Sequence, residues 1–149
     1  MPHTARLLVR DVITVKGGET VTEAAKIMRE NRIGCVIVAE DERPVGIFTE
    51  RDLLNKIVAA GLDPAKVPVS RFMTANPTTV DASEPLDKVF ATLAQGLFRH
   101  LPITEHGKLV GIISLTDIAG ILREVFLQDQ YTQYLVDYLQ TGGQAGARK

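Results

Sequence analysis

The chain has one cysteine, no tryptophan and three histidines among its 149 residues, and aromatics make up only 5%. A lone cysteine, Cys35, forms no internal disulfide and cannot anchor a cysteine-based zinc site. No two histidines stand four apart with a carboxylate between them, so the helical zinc-hydrolase pattern is missing. His3 lies near a terminus and His106 in a polar stretch, and neither suggests a metal site. Neither a G-x-S-x-G nucleophile elbow nor a P-loop lysine motif occurs. The scarcity of aromatics removes the stacking platforms of single-strand binders. An excess of one charge is missing too. Lys+Arg number 17 against 18 Asp+Glu, for a net charge of −1, so no broad cationic field awaits nucleic acid or an anionic membrane. The longest apolar run without glycine is Cys35–Ala39, far below the roughly 20 residues of a transmembrane helix. Residues 1–10 hold no apolar block followed by a small-residue cleavage site. The expectation is a soluble cytoplasmic protein that is not an enzyme, with no catalytic residues, metal site or catalytic cofactor.

What is present is a normal globular composition, 45% hydrophobic and 23% charged, enough to build a core. It is also an internal repeat. Val45–Leu53 (VGIFTERDL) resembles Val110–Ile118 (VGIISLTDI) at an offset of 65 residues. Holding that offset without a gap pairs Arg6 with Arg71, Thr14 with Thr79, Val15 with Val80, Glu19 with Glu84 and Glu40 with Glu105. Residues 5–60 then carry nine identities over 56 positions, and apolar positions mostly meet apolar positions. Units of about 55–60 residues bury too little surface alone and should pack on each other.

Each repeat reads as strand, helix, strand, strand, helix. A short β-branched run, Val12–Val15 or Thr78–Val80, opens it. Val21, Ala24, Ala25 and Met28 follow at helical spacing, as do Leu86, Val89, Phe90 and Leu93. Thr20 and Ser83 are the candidate N-caps. Two strands flank a polar turn at residues 40–43 and again at residues 105–108. The closing helices use Leu53, Leu54, Ile57 and Val58, then Ile118, Ile121, Leu122 and Val125. The expected organisation is repeat 1 over residues 5–60, a proline-bearing linker over 61–69, repeat 2 over 70–125, a C-terminal helix over 126–140 and a frayed tail over 141–149. Tyr131, Tyr134, Leu135, Tyr138 and Leu139 stripe that last helix. The stripe suits packing on the chain's own domain or a dimer contact.

The spacing that carries chemistry is Gly46-x-x-Thr49-x-x-Asp52, repeated as Gly111-x-x-Ser114-x-x-Asp117. Glycine admits close approach to a strand. A hydroxyl with a carboxylate three residues later makes a capping box. Two readings stand level. In one, the hydroxyl and carboxylate only cap a helix. In the other, the carboxylate accepts from ribose hydroxyls and the hydroxyl and helix N-terminus meet a phosphate. Cys35 itself reads as a small packing hydrophobe.

These two signatures, with Phe98-Arg99-His100-Leu101-Pro102-Ile103 and Arg71-Phe72-Met73-Thr74, resemble a tandem pair of CBS domains, named after cystathionine β-synthase. The resemblance covers residues 5–123. It implies an α/β (α+β) fold of two β-α-β-β-α units with pseudo-twofold symmetry and two clefts, in pairs that often dimerise. It implies adenosine ligands: AMP, ADP, ATP, NAD or S-adenosylmethionine. On the resemblance, Asp52 and Asp117 would bind ribose, and Thr49 and Ser114 ribose or α-phosphate. Ile13 and Thr78 would line the adenine slots, and backbone near Cys35 and His100 would read the adenine edge. Arg99, His100 and Arg51 would reach phosphate, with Thr116 offering a hydroxyl where Arg51 has its charge. Because Arg99 and His100 belong to the second repeat, Asp117 is expected to matter at least as much as Asp52. The implied function is a regulatory module that senses an adenine nucleotide and signals to a separate partner, as a homodimer. The alternative is a structural or dimerisation module with vestigial clefts.

Overall fold

A computed structural model describes residues 3–8, 11–96, 99–126 and 129–142, the side chains of 8, 121, 122, 125, 126, 129–131 and 135 excepted. The chain divides into two compact units, Met1–Ile113 and Ser114–Lys149. The first unit begins with a short 3-10 helix, Ala5–Leu8. Strand β1 (Thr14–Val15), helix α1 (Val21–Asn31), strands β2 (Cys35–Glu40) and β3 (Arg43–Thr49) and helix α2 (Glu50–Asp52) follow. Helix α2 runs into a π-helix over Leu53–Val58. Helix α3 (Val69–Phe72), β4 (Thr74–Ala75), β5 (Val80–Asp81), α4 (Leu86–Gln95), β6 (His100–Glu105) and β7 (Lys108–Ser114) complete the series. The second unit holds α5 (Leu115–Phe126) and α6 (Asp129–Gln140).

The mixed α/β fold is the expected one. One sheet has the order β1-β2-β3-β4 and the other β5-β6-β7. Val15 pairs with Val38 in parallel, and Val80 pairs with Ile103 in the same way, so the 65-residue offset is exact here. Cys35–Val38 and Leu101–Thr104 are buried at every position. A strand covered on both faces reads as a continuous apolar run rather than an alternation, which is why Cys35–Ala39 is the longest such run. The core of the first repeat gathers Val15, Val21, Ala24, Met28, Val36, Val38, Phe48, Ile57 and Val69. Phe48 is fully buried, which contributes roughly 1.5–3 kcal/mol.

The expected caps are half right. The Thr20 side chain accepts from the Glu23 N–H at 3.2 Å and caps α1. Ser83 caps nothing. Pro85 holds the N-cap position of α4, and Ser83 turns back to donate through its hydroxyl (2.6 Å) and N–H (2.9 Å) to Asp81 Oδ1. Phe90, expected on the inner face of α4, is 39% exposed. The closing helix of the first repeat departs more. Only Ile57 of its four apolar residues is fully buried, and Leu54 and Val58 are 58% and 63% exposed. Hydrogen bonds from Ala59 N–H to Leu54 O (2.9 Å) and Leu62 N–H to Ile57 O (3.0 Å) close i→i+5 turns. Those wider turns carry Leu54 and Val58 off the inner face.

The repeats are stitched by exchange of their entry segments. Ala5 and Arg6 donate to Glu84 O (2.8 Å) and Ala82 O (2.9 Å), and Leu86 donates to His3 O (3.1 Å). Val69 and Ser70 donate to Glu19 O (2.8 Å) and Gly17 O (3.1 Å), and Val21 donates to Val67 O (3.0 Å). The acceptors are 65 residues apart but Ala5 and Val69 only 64, so the structural mate of Arg6 is Ser70, not Arg71 as the ungapped repeat has it. Val67 and Val69 of the proline-bearing segment thereby pack on the first repeat's core. The linker, the first repeat and the second repeat as far as Ile113 consequently share one compact unit. Two further ties join the β2–β3 and β6–β7 turns. Leu109 N–H donates to Glu42 O at 2.8 Å, and Lys108 Nζ pairs with Glu42 Oε2 at 3.1 Å.

In the second unit α6 starts at Asp129. Tyr134, Tyr138 and Leu139 of its stripe are exposed. The side chains of Tyr131, Leu135, Ile121, Leu122 and Val125, and residues 143–149 of the tail, lie outside the described residues, as does Phe98.

Candidate functional site

The two signatures fold as capping boxes. Thr49 Oγ1 accepts from the Asp52 N–H at 3.2 Å while Asp52 Oδ2 accepts from the Thr49 N–H at 2.9 Å. Ser114 and Asp117 repeat the arrangement within the second unit at 3.1 and 3.0 Å. The capping reading is therefore realised in both repeats. It also orients the carboxylate of Asp52 at a helix N-terminus with one oxygen, Oδ1, directed elsewhere, 3.1 Å from Lys56 Nζ. Gly46 serves the fold rather than a ligand. A Cβ there would lie 2.7 Å from Met73 Cγ and collide with Met73 Sδ. Ala75 of β4 pairs opposite Gly46, so the glycine is needed for the segment that follows the linker to dock on β3.

A cleft of about 410 Å³ opens beside the Thr49–Asp52 box, within the range of small-molecule sites. It brings together six of the expected residues: Thr49, Arg51 and Asp52 from the first repeat and Thr78, Arg99 and His100 from the second. Arg99 and His100 thus share a cleft with Asp52, whereas the sequence expectation grouped them with Asp117. The reason is tertiary. The segment carrying Thr74, Asn76, Pro77 and Thr78 is laid along β3 by the short strand β4, which brings residues of the second repeat to the first repeat's box. Ser114, Thr116 and Asp117 belong to the second unit. Ile13 and Cys35 do not line this cleft: Ile13 O accepts from the Ile37 N–H at 3.4 Å, and Cys35 pairs with Thr49 across β2 and β3.

The walls carry both signs of charge. Arg51 and Arg99 are exposed and form no ion pair among the described residues. Glu50 lines the cleft beside Gly34. The Cys35 thiol behind it is pushed up to about 12, first by burial and then by the charge of Glu50, so it stays protonated and inert. Asn76 has no counterpart in the sequence reading. It adopts φ 50 and donates its N–H to Val45 O at 3.1 Å. Its only sequence signal is the Asn-Pro pair, a turn mark. No cluster of three metal-ligating side chains occurs among the described residues.

A sheet-and-helix repeat, exchanged entry segments and a cleft beside a hydroxyl–carboxylate box define a paired α/β module. The CBS domain profile matches residues 5–59 and 69–124, and the chain belongs to the CBS domain family. It is 39% identical over 114 residues to an uncharacterized protein of Methanopyrus kandleri, covering 75% of this chain and 58% of that relative's length. The structure of an uncharacterized conserved protein from Pyrococcus horikoshii is 32% identical with a TM-score of 0.73, covering 83% of this chain and 94% of that one. A CBS domain protein from Pyrobaculum aerophilum, solved in complex with AMP, is 28% identical with a TM-score of 0.70, covering 77% of this chain and 88% of that one. CBS domain proteins are generally regulatory rather than catalytic.

Proposed function

We propose that this chain is a regulatory module whose cleft binds an adenosine compound carrying phosphate: AMP, ADP, ATP or NAD. The observation that carries the reading is the 410 Å³ cleft holding Thr49 and Asp52 together with the guanidinium groups of Arg51 and Arg99, which form no ion pair among the described residues. Asp52 accepts from the ribose hydroxyls, Thr49 reaches ribose or α-phosphate, and Arg51, Arg99 and His100 meet phosphate. Thr78 lines the base. A carboxylate held at a helix N-terminus suits vicinal hydroxyls, and guanidinium groups suit phosphate oxygens. The AMP complex of the Pyrobaculum aerophilum relative supports the ligand class. By family motif alone, Asp117, Ser114 and Thr116 keep the same roles in the second repeat, and Ile13 and Cys35 keep contacts to adenine. Output passes to a separate regulated protein in the cytoplasm, and the exposed Leu54 and Val58 favour a homodimer. No helix of the described residues is long and apolar enough to cross a membrane.

A structural module with vestigial clefts is the second reading, favoured by the completeness of both capping boxes. Isothermal titration with AMP, ATP and NAD separates the two. Binding of at least one is expected, and Asp52→Ala should weaken it about tenfold or more, with a smaller loss for Asp117→Ala. Absence of binding to all three would leave the structural reading standing.

A further inference from the structure

We propose that Lys56, which stands outside the cleft, is a positioning residue that couples ligand binding at Asp52 to the order of the neighbouring wall, residues 72–78. This rests on the reading of the cleft as an adenosine site. Asp52 has one oxygen held by its own capping box, and the other lies 3.1 Å from Lys56 Nζ. The same ammonium group donates to Phe72 O at 2.9 Å. Phe72 ends α3, where a carbonyl has no partner within its helix. Two residues later β4 begins, and Thr74, Asn76, Pro77 and Thr78 all line the cleft. One ammonium group therefore joins the candidate ribose carboxylate to the peptide that leads into four other lining residues. As a surface ion pair Lys56–Asp52 would be worth little. Its effect lies in the second, charge-assisted bond, which turns a pair into a bridge. In the second repeat the corresponding position is Ile121, so the sequence provides no such lysine there.

A coupling of this kind is reciprocal: whatever the ligand does to the order of the 72–78 wall, that order does to ligand affinity. Lys56→Met keeps an apolar stem of similar length and removes the charge and donors, whereas Lys56→Arg retains both. The test is titration with AMP together with amide hydrogen exchange at saturating AMP. In the unaltered chain AMP should slow exchange at residues 49–52 and also at residues 73–76 and 78. Lys56→Met should weaken AMP binding about fivefold or more. At saturating AMP it should keep protection at 49–52 and lose it at 73–78. Lys56→Arg should stay within about threefold and keep both. If the unaltered chain binds AMP without protecting 73–78, or Lys56→Met binds as tightly with the same protection, the bridge has no such role and the ligand site stands without it. If the unaltered chain binds none of AMP, ATP and NAD, the reading of the cleft fails and this proposal with it.

Discussion

Gly46 and Asp52 belong to one six-residue spacing yet answer to different neighbours. Gly46 is set by Met73, whose side chain occupies the space a Cβ would take. Gly46→Ala should destabilise the fold by roughly 1–3 kcal/mol, as overpacking does, measured as a lower urea midpoint. Unchanged stability would show that Met73 swings aside at no cost. Asp52 is set by Thr49 and Lys56. Its identity as a candidate contact was legible because hydroxyl and carboxylate recur at the same spacing in both repeats. Glu50 and Asn76 were not legible. Nothing local marks a charge at the first position of a helix, or an asparagine before a proline, as facing a cleft. Their place depends on β4 lying against β3.

At the scale of elements, the strands and the first helix of each repeat were the most readable. Their burial shows as a continuous apolar run in β2 and a helical stripe in α1, and Thr20 marks a helix start. Thr20→Ala should cost about 1 kcal/mol through loss of the bond to the Glu23 N–H. Equal thermal midpoints would show that another group takes over the cap. The mate of Thr20 is Pro85, which has no side-chain acceptor, so α4 instead receives the His3 carbonyl at Leu86. The closing helix of the first repeat was misread for a physical reason. Its apolar residues suit an α-helical stripe, but Leu53–Val58 winds with i→i+5 bonds and exposes two of them. The entry segments show a similar limit. Their one-residue slip against the repeat is invisible to an ungapped comparison, because backbone bonds to the opposite repeat set the register, not side-chain pattern.

At the scale of the molecule, the entry exchange is reinforced by one charged latch. Arg6 holds Glu105 with two bonds, Nη2 to Oε1 at 2.6 Å and Nη1 to Oε2 at 3.2 Å. That hydrogen bond, then the charge of Arg6, holds the Glu105 carboxyl below its ordinary 4.5. Asp81 likewise lies below its ordinary 3.8, first through the Ser83 hydroxyl. A depressed carboxyl stabilises the fold above its unfolded value and loses that contribution as pH falls through the folded one. Stability should therefore decline as pH drops below about 4.5. Glu105→Gln should flatten that decline, read as urea midpoints at neutral and acid pH. An unaltered acid slope in Glu105→Gln would exclude the latch as its source.

The sequence by itself determined that the chain is a duplicated α/β unit and which residue types carry its signature, because burial period and capping chemistry are local. Only the tertiary structure decided which of them meet. The exchanged entry segments and the docking of β4 are long-range backbone pairings, and they put Arg99 and His100 in the cleft of Asp52. A repeat offset treats each half as self-contained. The fold does not, because each half is too small to bury its own edges and closes them with the other's chain.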